Sequence, residues 1–296
     1  MGPNSQGVKE IMGEKLINQA LYNLVANTGE LAALPTTVVD LLYLFKEEDA
    51  SAQSVVNILH RDPAMTANVL KMSNSAFYGA RREISSVQEA LVMLGNRAVV
   101  TMAFASGMAP VMRRDLDGYN VSRSRFWDHS VLAASASSFA AEKMGWAAQK
   151  CEAFTGGLVH DVGMLVIDAH LVANKMNLVT AEPAFDVSGS ERRLLGFDHC
   201  EAGALLADNW GFPPVLRDSI RYHHDPQLAE KGREVVHSVA VGNLLALIIE
   251  QDLDPYTHTL VRGLLTKLEL DGDFVAGLRD DLSGDLDSIL GEALSS

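Results

Sequence analysis

Apolar residues return at intervals of three and four through most of the chain, the rhythm of amphipathic helices. Leu34, Val38, Leu41, Leu42 and Phe45 form the first such stripe, and Pro35 suits its opening turn. Ser51 predicts a cap for a short helix through Leu59. Asp62-Pro63 is a cap followed by proline at the first helical position, opening a helix with Met65, Val69 and Met72 inward. Ser86-Val87-Gln88-Glu89 reads as a capping box ahead of an apolar run that stops near Leu94-Gly95, and another helix follows from about Asn96 to Met108. Longer helical patterns cover 124–144, 150–168, 198–209, 213–224 and 233–251. The stretch 181–190 reads as a loop, and 252–296 as one or two peripheral helices with a frayed end. No strand-like alternation and no repeat of fixed period occur, so the expected fold class is all-α.

Residues 110–123 break the rhythm with proline, glycine and charges, which places a boundary there. The expected organisation is a leader with a first helix over 1–28, an N-terminal helical subdomain over 29–115, a second helical subdomain over 116–251, and a C-terminal helical extension over 252–296. The 296 residues suffice for a substantial core. The formal charge of −14 repels phosphate backbones and anionic lipid, so neither nucleic acid nor membrane is an expected partner. Arg81-Arg82, Arg113-Arg114 and Arg123/Arg125 are isolated pairs and read as solvated faces. Leu244–Ile249, the longest apolar stretch, is too short to cross a bilayer. The first residues, which carry no apolar run, read as a flexible leader and not as a signal peptide. Cys151 and Cys200 form no CxxC pair and are expected as buried free thiols in a reducing, cytoplasmic setting.

Two features hint at chemistry. Ala133 to Ser138 and Gly156-Gly157 put almost no bulk on helix surfaces, which predicts close helix approach. Six histidines stand at suggestive places: His129, His160, His199, His223, His224 and His237. Asp161 follows His160, and Asp225 follows His224. A helical metal site draws its ligands from several separate helices in this way, and imidazole with carboxylate suits iron, manganese, nickel or zinc. By spacing alone the bland reading is as good: a satisfied core histidine, or one favoured by a helix C-terminal dipole.

The order of segments adds to this. LPTTVVDLL, ASAQSVVNILHRDPAMTANVLKMSNSAFYG, ISSVQEALVMLGNRAVV, FWDHSVLAA, AFTGGLVHDVGMLVI, LLGFDHCEAGALLADNWGFP and IRYHHDP resemble, in that order, the HDOD family of HD-related output domains. The resemblance implies an N-terminal helical bundle packed on an HD-like helical core. It implies His129, the doublet His160-Asp161, His199, and His223 or His224 as metal-ligand positions. It also places Asn243 where active HD hydrolases carry a late aspartate, and Met164 where many carry lysine. A neutral amide is a poorer donor to a divalent ion than a carboxylate. No GYP motif follows the HHD.

The expectation is therefore a bacterial signalling protein acting through signalling partners, with a degenerate HD site holding a divalent metal weakly or not at all. Phe77, Tyr78, Arg81 and Arg82 are candidate partner contacts, with interface packing as the plainer role for the two aromatics. Two alternatives stand beside this reading. One is a metal-dependent phosphohydrolase using His129, His160, Asp161 and His199, with Asp161 bridging two ions. The other is a sensor that holds a nucleotide or another phosphate-bearing ligand without cleaving it.

Overall fold

The computed structural model describes residues 19–27, 33–46, 51–79, 82–178 and 187–293. Residues 19–26 are helical. The first half then runs α1 (Thr36–Lys46), α2 (Ala52–Leu59), α3 (Pro63–Ser73), α4 (Val87–Leu94) and α5 (Asn96–Met112). The second half runs α6 (Arg123–Lys143), α7 (Lys150–Val159), α8 (Gly163–Ala173), α9 (Val187–Leu195), α10 (His199–Asn209), α11 (Pro214–Tyr222) and α12 (Arg233–Glu250). Helices α13 (Thr259–Leu268) and α14 (Gly272–Ala293) follow. Among the described residues there is no strand, only an isolated bridge between Leu116 and Val121, so the chain is all-α as expected.

The local signals form as the sequence predicts. Ser51 accepts from the Ser54 amide, and Asp62 accepts from the Met65 amide ahead of Pro63. Ser86 caps α4 through the Glu89 amide. The predicted box is only half made there, because the Glu89 carboxylate takes the amide and hydroxyl of Ser85 instead. Helix α5 continues through Pro110 to Met112, past the expected stop. The pattern over 150–168 is two helices, broken at His160–Val162. Val187–Gly189 and Ser190, expected in a loop, open α9; 181–186 lie outside the described residues, as do the leader residues 1–18.

One core runs from Val25 to Ile220 and joins both halves. A second cluster ties α6 and α12 to α13 and α14 through Leu244, Leu245, Val261, Leu265, Val275 and Leu278. The small residues of α6 let two neighbours in closely. A Cβ on Gly157 of α7 would lie 2.8 Å from the Ala133 carbonyl, and one on Gly242 of α12 would lie 2.5 Å from the Ser137 amide. Glycine in a helix costs about 1 kcal/mol against alanine; here it lets α7 and α12 seat directly on α6. That contact sets the spacing of the side chains one or two turns away. The stretch Ala147–Ala173 has the length and hydropathy to cross a membrane, but 67% of its apolar 18-residue window is buried inside the protein and the stretch is broken into α7 and α8.

Candidate metal centre

Five polar side chains converge beside the α6–α7–α12 contact. His129 comes from the second turn of α6. His160 and Asp161 occupy the break between α7 and α8. His199 is the first residue of α10, which Asp198 and Glu201 start with a complete capping box. His223 follows the last turn of α11. Gly163 makes the convergence possible: a Cβ there would lie 1.9 Å from the His199 carbonyl oxygen. The start of α8 thus rests backbone to backbone on the start of α10.

Asp161 is the hub. Its Oδ2 lies 3.1 Å from His160 Nε2 and 3.8 Å from His129 Nε2. Its Oδ1 lies 3.3 Å from His199 Nε2 and 3.4 Å from His223 Nε2. The opposite nitrogen of every ring is engaged by an acceptor. His160 Nδ1 donates to the Gly157 carbonyl at 2.7 Å, and His223 Nδ1 to the Ile220 carbonyl at 2.9 Å. His199 Nδ1 donates to Glu191 at 2.7 Å, and His129 Nδ1 to Glu250 at 3.1 Å. An acceptor at Nδ1 fixes the proton there and leaves a lone pair on Nε2 in the neutral ring. Four such lone pairs then face a carboxylate, which only a proton or a metal cation between them can reconcile. Buried His160 Nε2 accordingly has no hydrogen-bond partner. Imidazoles oriented by carbonyls and carboxylates behind them are the usual support of metal ligands.

The electrostatics follow from the same crowding. Burial works against the charge on Asp161, but the surrounding imidazoles, His160 foremost, hold its carboxyl well below the usual range. Burial also opposes protonation of His199 and His223. Glu191 and Cys200 nevertheless raise His199 well above its ordinary value, and Cys200 with Asp161 carries His223 up to about 10. His224 is pushed far down, by burial and then by the charge of His223. The raised values of His199 and His223 report the negative surroundings of Glu191, Cys200 and Asp161, which favour a positive charge at Nε2, whether a proton or a metal ion in its place.

Ligand atoms fall into two sets, each within 4.8 Å: His129, His160 and Asp161, and His199, Cys200, His223 and His224. The five histidines that the resemblance places at the site are therefore together, and His237 lies elsewhere, edge to face with Trp146 at a centroid distance of 6.5 Å. Asn243 is buried, near enough to His129 to favour the protonated form of that ring. Met164 is buried too.

Three participants escaped the sequence reading. Cys200, expected to be an inert thiol, has its Sγ 3.6 Å from His199 Nε2, whereas Cys151 is only half-buried. Adjacency to His199 was the available signal for Cys200. Glu250 lies two helical turns after Asn243 on α12, so it shares that face. Fully buried Glu191, which also accepts from the Tyr119 hydroxyl and the His199 amide, carries no local signal. Phe77 and Tyr78 are half-buried, edge to face at 4.9 Å, and Phe77 also meets Phe154. Arg82 is exposed and pairs with Glu89; Arg81 lies outside the described residues.

The cleft has a roof. A cavity of about 30 Å³ lies between His223, His224 and Asn243 on one side and Leu264, Lys267 and Leu268 of α13 on the other. Lys267 is tied across to Asp225, directly after the HH pair.

The chain is similar along most of its length to solved structures. One is a "Putative phosphohydrolase" from Shewanella amazonensis, 25% identical, covering 93% of this chain and 98% of that one at a TM-score of 0.68. Another is an HDOD domain protein of unknown function from Geobacter sulfurreducens, 23% identical, covering 92% and 97% at the same TM-score. An uncharacterized protein of Treponema pallidum is 22% identical over 240 residues, which are 80% of this chain and 46% of that protein. The chain thus spans under half the length of this curated relative. The family model of the HDOD domain matches residues 31–226, well over half of the chain, and the chain belongs to the HDOD domain family.

Proposed function

We propose that this chain is a signalling module whose HD-type pocket holds a divalent metal ion, and that it acts through signalling partners and not by turning over a phosphoester. The observation that carries the metal is the set of four Nε2 lone pairs facing one carboxylate. His129, His160 and Asp161 would hold one ion, and His199, His223 and His224, with Cys200, a second. Asp161 offers one oxygen to each set. A bound ion would supply Lewis acidity toward a phosphate oxygen or a water. The protein's own part is to orient the imidazoles, through Gly157, Ile220, Glu191 and Glu250, and to keep the pocket dry.

Three features argue against turnover. Asn243 brings a neutral oxygen where a carboxylate would add charge to the His129 side. Met164 offers no cation to a phosphate. The roofed cavity of about 30 Å³ has room for a few waters only. A phosphohydrolase reading is favoured by one observation, the even division of the Asp161 oxygens between two imidazole pairs, which suits a two-ion site.

Metal analysis of the purified chain, with hydrolysis of bis(p-nitrophenyl) phosphate in manganese or iron, tests both readings. The expected result is bound metal, lost in His160→Ala, and no turnover above that variant. Metal-dependent turnover by the wild type moves the assignment to the phosphohydrolase; a metal-free wild type in excess metal ends the metal assignment.

A further inference from the structure

The second set of ligand atoms includes a sulfur. Cys200 follows His199 at the start of α10, where adjacent side chains point about 100° apart, and both residues are buried. Four donors stand there as the corners of a small polyhedron. His199 Nε2 and His223 Nε2 lie 3.4 Å apart. Asp161 Oδ1 lies 3.3 Å from the first and 3.4 Å from the second. Cys200 Sγ lies 3.6 Å and 3.9 Å from the same two nitrogens.

Bond lengths decide which ion such edges suit. Zinc bonds nitrogen and oxygen at about 2.0–2.2 Å and sulfur at about 2.3 Å. A tetrahedron of those bonds has edges of about 3.3–3.5 Å between nitrogen or oxygen donors and about 3.6 Å from nitrogen to sulfur. Adjacent donors around an octahedral ion with bonds of about 2.0–2.1 Å stand only about 2.9 Å apart. Four of the five distances meet the tetrahedral values, and only that between Cys200 and His223, at 3.9 Å, is long. The donor types agree with the geometry, since a soft thiolate selects zinc over magnesium, calcium or manganese.

Within the metal centre proposed above, on which this rests, we infer that His199, Cys200, His223 and Asp161 Oδ1 form a closed four-coordinate zinc site, with Cys200 bound as the thiolate and its proton released to solvent. With all four corners supplied by protein, no position is left for water or phosphate. An ion there ties the start of α10 to the end of α11 and to the break between α7 and α8, and Lewis acidity is left to the His129 position. His224, whose ligand atom lies within 4.8 Å of those of His199, Cys200 and His223, is a fifth donor that a four-coordinate ion leaves free. The set of His129, His160 and Asp161 offers no sulfur, so the two positions differ in the ion they select.

The test is a titration of the reduced, metal-stripped full chain with cobalt(II), a coloured stand-in for zinc, read by absorption. The chain has two cysteines, so Cys151→Ser carries Cys200 alone. Wild type and Cys151→Ser should both give the intense visible bands of a four-coordinate cobalt ion and the near-ultraviolet band of cobalt bonded to sulfur. Zinc should abolish these bands at stoichiometric amounts, and excess manganese should leave them. Cys200→Ser should lose the sulfur band, and its zinc affinity should fall at least about 100-fold, since a ligand lost costs more than an orienting neighbour lost behind one. A Cys151→Ser protein that binds manganese or cobalt without the sulfur band overturns the zinc assignment and leaves the metal centre standing. Wild-type zinc affinity in Cys200→Ser overturns it as well, and a wild type that binds none of the three ions removes the centre with it.

Discussion

The α-carbon of Gly163 stands against the His199 carbonyl so closely that a methyl group would sit 1.9 Å from that oxygen and 2.5 Å from the Gly203 amide. Both neighbours are backbone, so neither can rotate away. Overpacking in cores costs about 1–3 kcal/mol, occasionally more. Gly163→Ala should reach the upper end, lowering the melting temperature by roughly 6–12 °C. Calorimetry that finds it within about 2 °C of wild type would show that α8 and α10 are not held this way.

Asn243, in the middle of α12, lies near His129 and favours its protonated form. Asn243→Asp is nearly isosteric and adds a negative charge beside His129, His160 and Asp161. Affinity for manganese should rise about tenfold or more, since ligand charge governs such sites. Calorimetric titration of both proteins checks this, and unchanged affinity removes Asn243 from the reach of the ion.

Glu191 serves three donors at once: the Tyr119 hydroxyl, the His199 amide and His199 Nδ1. Glu191→Ala strands them in a fully buried place. Breaking such a buried pair costs about 3–5 kcal/mol, and losing the orienting partner should weaken metal binding by roughly 10–100-fold. Glu191→Gln, which keeps the shape and one acceptor, should recover much of the stability and less of the affinity.

In the proposed centre, protons and metal would compete for the same nitrogens. His199 is raised well above its ordinary value and His223 to about 10, against the opposing effect of burial, by Glu191, Cys200 and Asp161. A raised folded value stabilises fully below the unfolded value near 6.5 and is lost as pH climbs through the folded one. The metal-free protein should therefore weaken from neutral toward pH 10, while saturating metal flattens that decline. Metal uptake at pH 7 should release at least one proton. Titration in two buffers of different ionisation enthalpy counts it, and a count of zero contradicts the assignment.

Lys267 and Leu264 roof the cavity over His224 and Asn243. The Lys267–Asp225 pair is partly exposed, so Lys267→Ala alone should cost no more than about 1 kcal/mol. Combined with Leu264→Ala it should open the mouth and speed modification of His224 by diethylpyrocarbonate, read by mass spectrometry. Unaltered labelling would mean that α13 does not limit entry.

The helices were legible because their cause is local. Ser51, Asp62 and Pro63 cap and start helices through neighbours three residues away, and the apolar stripes repeat within one or two turns. The order of His129, His160-Asp161, His199 and His223-His224 was legible too, since motif order survives in the chain. The break at His160–Val162 was not, because an apolar run reads alike through a helix and through a tight turn between two helices.

The sequence by itself determined an all-helical chain, the HDOD resemblance and the identity of the imidazoles that gather around Asp161, all properties of residue type and motif order. Only the tertiary structure decided that Glu191 and Glu250 stand behind His199 and His129, that Cys200 joins the ring of donors, and that α13 closes the cleft. Glu250 and His129 are 121 residues apart. Which side chains meet across such a distance depends on how closely Gly157, Gly163 and Gly242 let the helices approach, and no local pattern encodes that.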